Sequence, residues 1–198
     1  MAEVNAGGPL DRRAVVTVLL SDRRDLLVVS GLGSASYDVM AAGDHDTNFY
    51  LWAAMGSAVM VGLGLAAAQP RKPVLVVTGD GEALMGFGAL ATASLRRPAN
   101  LTIAILDNGH YGETGMQVSH AGKGIALDRV AAACGFPWTR EITDMDGLGA
   151  LKRRLHSREG LSLAAIKIKA ENVPRVLPPR DGVHIKNRFR SALGFQPN

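Results

Sequence analysis

The sequence predicts an α/β fold in which a parallel β-sheet is flanked by helices on both faces. Short apolar runs of strand length alternate with segments that have helical spacing, and glycines follow several of these runs. Uniformly apolar strands are typical of parallel sheets, because both faces of such a sheet are buried. The alternation implies right-handed βαβ units, in which ligands bind at the carboxyl ends of the strands.

The predicted elements follow one another along the chain. Strands are predicted over 26–30, 74–78, 101–106, 138–142 and 163–168. Helices are predicted over 10–20, 34–42, 82–96 and 127–134, with an apolar helix ending at Gln69 and another, capped by Thr143 or Asp144, ending at His156. Four prolines in the last 28 residues predict that regular structure ends there. We therefore expect a domain over residues 1–170 and a basic C-terminal tail over 171–198.

The composition is that of a globular protein. With 47% hydrophobic and 20% charged residues, the 198-residue chain can bury a core, which excludes an intrinsically disordered protein. Its one cysteine, Cys134, excludes an internal disulfide framework and a cysteine-rich zinc site, so we expect a cytoplasmic location. The uncharged stretch 49–68 has the length of a membrane helix, but its three glycines favour a loop leading into a buried helix. We expect no membrane span and no secretory signal.

The net charge of +4 is concentrated near the C-terminus. Between residues 175 and 190 there are five basic residues and a single acidic one, Asp181. Such a tail could bind nucleic acid, an anionic ligand or a partner subunit, or it could be a solvated or docking segment. No helix-turn-helix, zinc-finger or aromatic-basic RNA motif accompanies it, so we expect no nucleic-acid binding.

Two turns at predicted strand ends carry the most specific signal. Gly79-Asp80-Gly81 opens a helix, where glycines allow close backbone approach and the helix start favours phosphate. A carboxylate beside a phosphate is repulsive unless a divalent cation lies between them, so Asp80 predicts a bridging metal. Asn108 follows the next strand, with 26 residues between it and Gly81. Its amide oxygen and the carbonyl of His110 could complete the coordination of Mg²⁺. Either turn alone would also fit a plain tight turn; the pair is more specific.

The segment GDGEALMGFGALATASLRRPANLTIAILDNGHYG resembles the signature of thiamine diphosphate enzymes, in which a pair of asparagines follows GDG at a similar distance. This chain has Asp107 in place of the first asparagine but keeps Asn108, the position that carries the metal. The resemblance implies that Asp80, Asn108 and the backbone oxygen of His110 bind Mg²⁺. It also implies cofactor contacts from Gly79, Gly81, Glu82 and Tyr111, although Tyr111 could equally be a hydrophobic plug.

Two upstream loops extend this resemblance. The sequence SGLGS at 30–34 resembles the loop that touches the diphosphate, which places Gly33 and Ser34 there. The sequence LWAAMG at 51–56 resembles the loop that holds the aminopyrimidine. There the carbonyl of Ala53 would accept from the 4′-amino group and Met55 would wedge the cofactor into its V shape, although Met55 could also fill the core. The match covers roughly residues 26–170 and makes 1–170 a diphosphate-binding (PP-type) domain.

The strings NFYLWAAMGSAVMVGLGLA and DNGHYGETGMQ look like the β chain of sulfopyruvate decarboxylase and the matching half of phosphonopyruvate decarboxylase. The resemblance implies a subunit of a Mg²⁺-dependent carboxy-lyase that acts on a small anionic 2-oxoacid. An acetolactate-type carboligase and the β chain of a 2-oxoacid oxidoreductase remain open. From another class, a non-catalytic cofactor-binding regulator also remains open, although GLGSAS lacks the full G-x-G-x-x-G pattern.

The family resemblance also implies a partner. In these enzymes a glutamate of a pyrimidine-binding domain activates the cofactor, and no glutamate of this chain sits in the corresponding motif. We therefore expect a separate subunit that carries this domain, in an α₂β₂ or larger hetero-oligomer. The candidate catalytic residues are His120, His45 and Glu113, and both histidines are expected at the cofactor edge of the sheet. His120 could donate a proton, because imidazole titrates near neutral pH.

Overall fold

The computed structural model describes residues 9–196. The strands are β1 (Leu27–Ser30), β2 (Asn48–Tyr50), β3 (Val74–Gly79), β4 (Leu101–Asp107), β5 (His110–Tyr111), β6 (Gln117–Val118), β7 (Trp138–Ile142) and β8 (Ser162–Lys167). The helices are α1 (Arg12–Leu20), α2 (Ser34–Ala41), α3 (Ala58–Ala68), α4 (Asp80–Met85), α5 (Gly88–Arg96), α6 (Leu127–Ala133), α7 (Met145–Ser157) and α8 (Gly182–Ala192). Six strands form a parallel sheet in the order β2-β1-β3-β4-β8-β7, while β5 and β6 form an antiparallel hairpin. The predicted α/β architecture is confirmed.

The parallel sheet separates two apolar cores. Successive strand residues point to opposite faces, so Val29 and Val76 pack under α3, α5 and α6, whereas Val28 and Leu75 pack under α1, α2 and α7. Each of the central strands is buried on both faces, which explains why their sequences are uniformly apolar. This arrangement leaves the loops at the carboxyl edge of the sheet as the place where polar groups can gather.

Several elements differ from the sequence prediction, among them β2 and the helix predicted over 82–96. The strand β2 lies where a loop was expected, and it pairs in parallel with β1 at the edge of the sheet. The helix predicted over 82–96 begins at Asp80 and is divided into α4 and α5. The division occurs because the loop after β2 packs against Gly86: a Cβ at Gly86 would lie 1.9 Å from the carbonyl oxygen of Gly56. Only glycine allows this approach of two backbones.

The expectation that regular structure ends in the tail is wrong. Three of the four prolines precede α8, and the fourth, Pro197, lies outside the described residues. α8 begins after Asp181, whose carboxylate accepts hydrogen bonds from the backbone N–H groups of Val183 and His184. Asp181 therefore caps the N-terminus of α8, which begins directly after the proline-containing segment.

The tail helix docks on the body of the protein. Phe189 is buried and packs edge-on against Phe49, with ring centroids 5.6 Å apart. Arg188 donates two hydrogen bonds to the carboxylate of Asp44, over 2.7 and 3.1 Å. Phe189 belongs to one core and the buried Ile185 to the other, so α8 covers the side of the sheet at β2. Covering an edge strand in this way prevents its pairing with other chains.

The apolar stretch 49–68 does not form a membrane helix. It contains β2, a loop and the eleven-residue helix α3. Between residues 9 and 196, no helix combines the length and hydrophobicity that crossing a membrane requires.

Candidate cofactor site

The loops that follow the neighbouring strands β1, β3 and β4 meet around a cavity of about 150 Å³ at the carboxyl edge of the sheet. Most of the predicted site residues line it: Ser34, Met55, Gly79, Asp80, Gly81, Glu82, Asn108, His110, Tyr111 and Glu113. The two turns that carry Asp80 and Asn108 therefore open into one cavity. Parallel strands bring their ends together in this way even when a helix separates them in sequence.

Asp80 is the first residue of α4, and only 2% of its surface is exposed. Ser119 donates a hydrogen bond from Oγ to Asp80 Oδ2 over 2.5 Å and is itself fully buried. Burial raises the pKa of Asp80, and the hydrogen bond from Ser119 opposes this rise. The sequence analysis did not identify Ser119. This residue lies directly after β6, 39 residues beyond Asp80 in the chain, and no local pattern links the two.

The turn at Asn108 is fixed by its own side chain. Asn108 Oδ1 accepts a hydrogen bond from the backbone N–H of His110 over 2.9 Å. The preceding carboxylate, Asp107, accepts from the N–H of Gly109 over 3.0 Å and pairs with Lys167 Nζ at 2.6 Å. Lys167 on β8 therefore neutralises the Asp107 carboxylate. This lysine also escaped sequence reasoning, since only sheet pairing brings it to Asp107.

The donor atoms at these two turns suit a hard divalent cation. Asp80 offers a carboxylate, Asn108 an amide oxygen and His110 a backbone carbonyl, and all three residues line the same cavity. Mg²⁺ prefers such oxygen ligands. Within residues 9–196, no group of three or more His, Cys, Asp or Glu side chains is placed so that it could hold a metal ion.

Glu82 lines the cavity, but its carboxylate turns toward the loops that surround it. The side chain is buried, and it accepts hydrogen bonds from Thr78 Oγ1 over 2.6 Å and from the N–H of Gly56 over 3.3 Å. Burial raises the pKa of Glu82, and the hydrogen bonds act against this rise. The diphosphate contact predicted for Glu82 involves its backbone, whereas its side chain forms hydrogen bonds with neighbouring segments.

The predicted residues Ser34 and Glu113 meet at the rim of the cavity. Ser34 Oγ donates to Glu113 Oε1 over 2.9 Å, and Arg175 of the tail donates to Oε2 over 3.0 Å. Gly33 has a φ of +77°, and a Cβ there would lie 3.0 Å from Glu113 Cγ. Glycine at this position thus satisfies both a left-handed backbone and a close contact. Glu113 connects the loop after β1 to the tail.

Tyr111 covers the start of α4. Its ring lies against Gly81, where a Cβ would come within 2.8 Å of Tyr111 Cδ1. The hydroxyl of Tyr111 lies 2.6 Å from Nδ1 of His120. Among the described residues, Tyr111 lines the cavity and His120 does not, so His120 reaches the site through the tyrosine.

The expectation that His45 lies at this edge is wrong. Its Nδ1 is hydrogen-bonded to Thr47 Oγ1 over 2.9 Å, and that hydroxyl donates to the carbonyl of Leu26 just before β1. His45 precedes β2 and therefore lies at the amino edge of the sheet, opposite the cavity. The polar loop that contains it leads into a strand, whereas the loops of the site lead out of strands.

The loop after β2 lies at the mouth of the cavity. Met55 lines the cavity and is 44% exposed, while Ala53 is exposed and outside the lining. Ala54 has a φ of +58° and Gly56 a φ of +92°, so the loop holds an unusual backbone shape. Met55 and Ala53, for which aminopyrimidine contacts are predicted, therefore lie on one surface loop beside the cavity.

Arg12 is a cavity residue that sequence reasoning missed. Its side chain is 5% exposed, and Nε donates to Asp38 Oδ2 over 2.6 Å. Arg13 Nε also approaches Asp38, at 3.5 Å. Burial raises the pKa of Asp38, and the two guanidinium groups act against this rise. The available signal was weak: an arginine in the first turn of a helix, where the helix dipole disfavours a cation.

The fold and the cavity define an α/β cofactor-binding domain with a phosphate-type turn and oxygen donors for a divalent metal. Residues 33–164 match the family described as thiamine pyrophosphate enzyme, C-terminal TPP binding domain. The chain belongs to this family, which confirms the resemblance predicted from the sequence.

Relatives and solved structures agree with this assignment. Phosphonopyruvate decarboxylase of Streptomyces viridochromogenes is 35% identical over 198 residues, which are 98% of this chain and 48% of the relative. Sulfopyruvate decarboxylase subunit beta of Methanothermobacter thermautotrophicus is 34% identical over 180 residues, 91% of this chain and 94% of that subunit. The structure of benzoylformate decarboxylase from Polynucleobacter necessarius has a TM-score of 0.68 at 21% identity, covering 88% of this chain and 36% of that one. The chain thus spans about half the length of the phosphonopyruvate decarboxylase.

Proposed function

We propose that this chain is the diphosphate-binding subunit of a thiamine diphosphate- and Mg²⁺-dependent decarboxylase of sulfopyruvate or phosphonopyruvate type. The observation that carries the proposal is the meeting of Asp80 and Asn108 at one cavity, after the neighbouring strands β3 and β4. The decarboxylase relatives support the class of reaction, and one of them is a beta subunit that is matched over nearly its whole length.

The residues of the cavity have distinct parts in this proposal. Asp80, Asn108 and the His110 carbonyl would hold Mg²⁺, and Ser34 with the first amides of α4 would bind the diphosphate. Thiamine diphosphate, when bound, supplies an electron sink for the loss of CO₂ from a 2-oxoacid. The protein contributes orientation and the exclusion of water.

Several side chains support that role. Ser119 fixes the carboxylate of Asp80, and Tyr111 covers the start of α4 against solvent. His120 holds its ring nitrogen at the Tyr111 hydroxyl, so a proton at this pair lies at the edge of the cavity. We propose that His120 donates a proton through Tyr111 and that Glu113 lies at the rim of the cavity.

The activating glutamate would come from a partner subunit with a pyrimidine-binding domain. Both glutamates that line the cavity are engaged: Glu82 with Thr78 and a loop amide, and Glu113 with Ser34 and Arg175. Met55 and Met85 line the cavity and are 44% and 65% exposed. Exposed apolar side chains at the mouth of a site suit burial against another subunit.

The experiment compares the chain alone with the chain co-purified with a candidate partner subunit. We expect bound thiamine diphosphate in the denatured complex by mass spectrometry, and release of CO₂ and an aldehyde from sulfopyruvate or phosphonopyruvate only when both subunits are present. Asp80→Asn should abolish turnover, whereas Glu159→Gln on the surface should not. Full activity of the chain alone would refute the need for a partner. A carboligation product, or electron transfer to an added acceptor, would favour the two other thiamine-dependent reactions.

A further inference from the structure

Glu82 is the centre of a hydrogen-bond arrangement that reaches several loops. Its carboxylate accepts from Thr78 at the end of β3 over 2.6 Å and from the N–H of Gly56 over 3.3 Å. The segment after β1 also approaches the carboxylate, since Gly31 leaves no room for a side chain beside Glu82 Oε2. One buried side chain on α4 therefore interacts with the segments that follow β1, β2 and β3.

The surrounding backbone is shaped to admit this carboxylate. A Cβ at Gly31 would lie 1.6 Å from Glu82 Oε2, so any side chain at position 31 would displace the carboxylate. Gly31 does not have a positive φ, and its glycine is therefore explained by the close contact alone. The Glu82 carboxylate occupies the space that a side chain at position 31 would need.

The chemistry requires an acceptor at this point. A hydroxyl and a backbone N–H donate to Glu82, and an ionised carboxylate only accepts hydrogen bonds. A glutamine has the same shape but would bring an NH₂ donor against these donors. The hydrogen bonds that the Glu82 carboxylate accepts from Thr78 and Gly56 come from neutral donors.

The segments that Glu82 joins are those that carry the proposed cofactor contacts. The segment after β1 leads to Ser34, the loop after β2 carries Met55, and α4 begins with Asp80. The first and the last belong to the diphosphate end of the cavity, and the second belongs to the aminopyrimidine end. Because Glu82 contacts the segments of both ends, a change in backbone position at one end of the cavity would affect the other end.

We propose that Glu82 is a positioning residue that couples the diphosphate end of the cavity to the loop at residues 51–56, the aminopyrimidine loop, so that diphosphate binding orders that loop. The inference rests on the proposed function, because it takes its meaning from where the cofactor binds. Glu82 acts through the loops and has no part in the chemical step.

Trp52 allows a test that does not depend on activity. It lies in the aminopyrimidine loop, and the other tryptophan, Trp138, lies on β7 at the far edge of the sheet. In a Trp138→Phe background, the emission comes from Trp52 and reports on the loop and on its contact with the tail, where Trp52 Nε1 donates to the carbonyl of Pro179. Mg²⁺ with inorganic pyrophosphate serves as a probe of the diphosphate end, because it has no pyrimidine to touch the loop. Calorimetry measures the binding of pyrophosphate and of thiamine diphosphate separately.

In the Trp138→Phe chain, Mg-pyrophosphate should change the Trp52 emission. In Glu82→Gln it should still bind, within about threefold, but the emission change should be lost. Thiamine diphosphate should bind about 10- to 100-fold more weakly, the range for losing hydrogen bonds to a charged group. Thr78→Val removes one donor and should weaken thiamine diphosphate binding in the same direction by a smaller factor. Glu159→Gln, an exposed glutamate bonded to Arg154, is the matched control.

Three results would overturn the inference. If Glu82→Gln matched Glu159→Gln in affinity and in Trp52 response, Glu82 would be only a filler of space. If Glu82→Gln lost pyrophosphate and thiamine diphosphate binding equally, with a large fall in Tm, its role would be general stability. If the unmutated chain together with its partner subunit, at saturating Mg²⁺, bound pyrophosphate but no thiamine diphosphate, the proposed function would fail and the inference with it. The first two results would leave the proposed function intact.

Discussion

Replacing Ser119 by alanine tests whether Asp80 is held in place for a metal. The change removes the hydrogen bond to the buried Asp80 carboxylate, 2.5 Å long, and a longer one that Ser119 Oγ accepts from the N–H of Gly122 over 3.3 Å. A hydrogen bond to a charged group contributes about 1.5–3 kcal/mol. Since 1.4 kcal/mol corresponds to a factor of ten, we expect Mg²⁺ to bind about 10- to 100-fold more weakly. Outer residues that orient metal ligands in other proteins have effects of about the same size.

The assay is the Mg²⁺ dependence of thiamine diphosphate binding, measured by calorimetry at fixed cofactor. Ser157→Ala is the matched control, because Ser157 donates to a backbone carbonyl at the end of α7, on the surface and away from the cavity. The Mg²⁺ midpoint should rise for Ser119→Ala and remain unchanged for Ser157→Ala. An unchanged midpoint for Ser119→Ala, with normal folding, would refute the idea that this hydrogen bond prepares Asp80 for a metal.

Three further predictions concern stability. Phe189→Ala should destabilise the docked α8 by about 3–5 kcal/mol, and hydrogen exchange at 182–192 should accelerate while the sheet stays protected; uniform acceleration would contradict separate docking. Burial alone would raise the pKa of Asp44, but hydrogen bonds from Arg188 and its neighbours lower it overall. The contribution of Asp44 to the docking of α8 is therefore complete above the unfolded pKa of 3.8, and it is lost as the pH falls through the lower folded pKa. Asp44→Asn should remove this pH dependence in the same exchange experiment. Arg12→Met leaves Asp38 buried beside a more distant arginine and should cost about 3–5 kcal/mol by thermal denaturation, while adding Asp38→Leu should restore most of it; a double variant no better than the single one would count against a buried ion pair.

Prediction from the sequence succeeded where the signal is local. Apolar runs of strand length identified β3 and β4, and the glycine-flanked aspartate and the asparagine were placed at their ends. It failed at β2, which is only three residues long, and at α8, where the prolines concealed a helix that begins after them. It also placed His45 at the wrong edge, because a polar loop looks the same whether it enters a strand or leaves one.

The residues missed at the site share a physical reason. Ser119, Lys167 and Arg12 each form a hydrogen bond with a residue that is distant in sequence, at 39, 60 and 26 positions. Each partnership exists only once the sheet and its covering helices have formed. No local periodicity or motif records such a contact.

The sequence by itself determined the apolar central strands of the sheet, the family of the chain, and the two turns that line the cavity. It could do so because burial on both faces and the needs of a phosphate-binding turn restrict which residues stand next to one another. Only the tertiary structure decided which side chains support those turns, how Glu82 joins the surrounding loops, and that the basic tail folds back as a helix. Those outcomes depend on packing between segments far apart in the chain, where burial and hydrogen bonding, and not neighbouring residues, set the free energy.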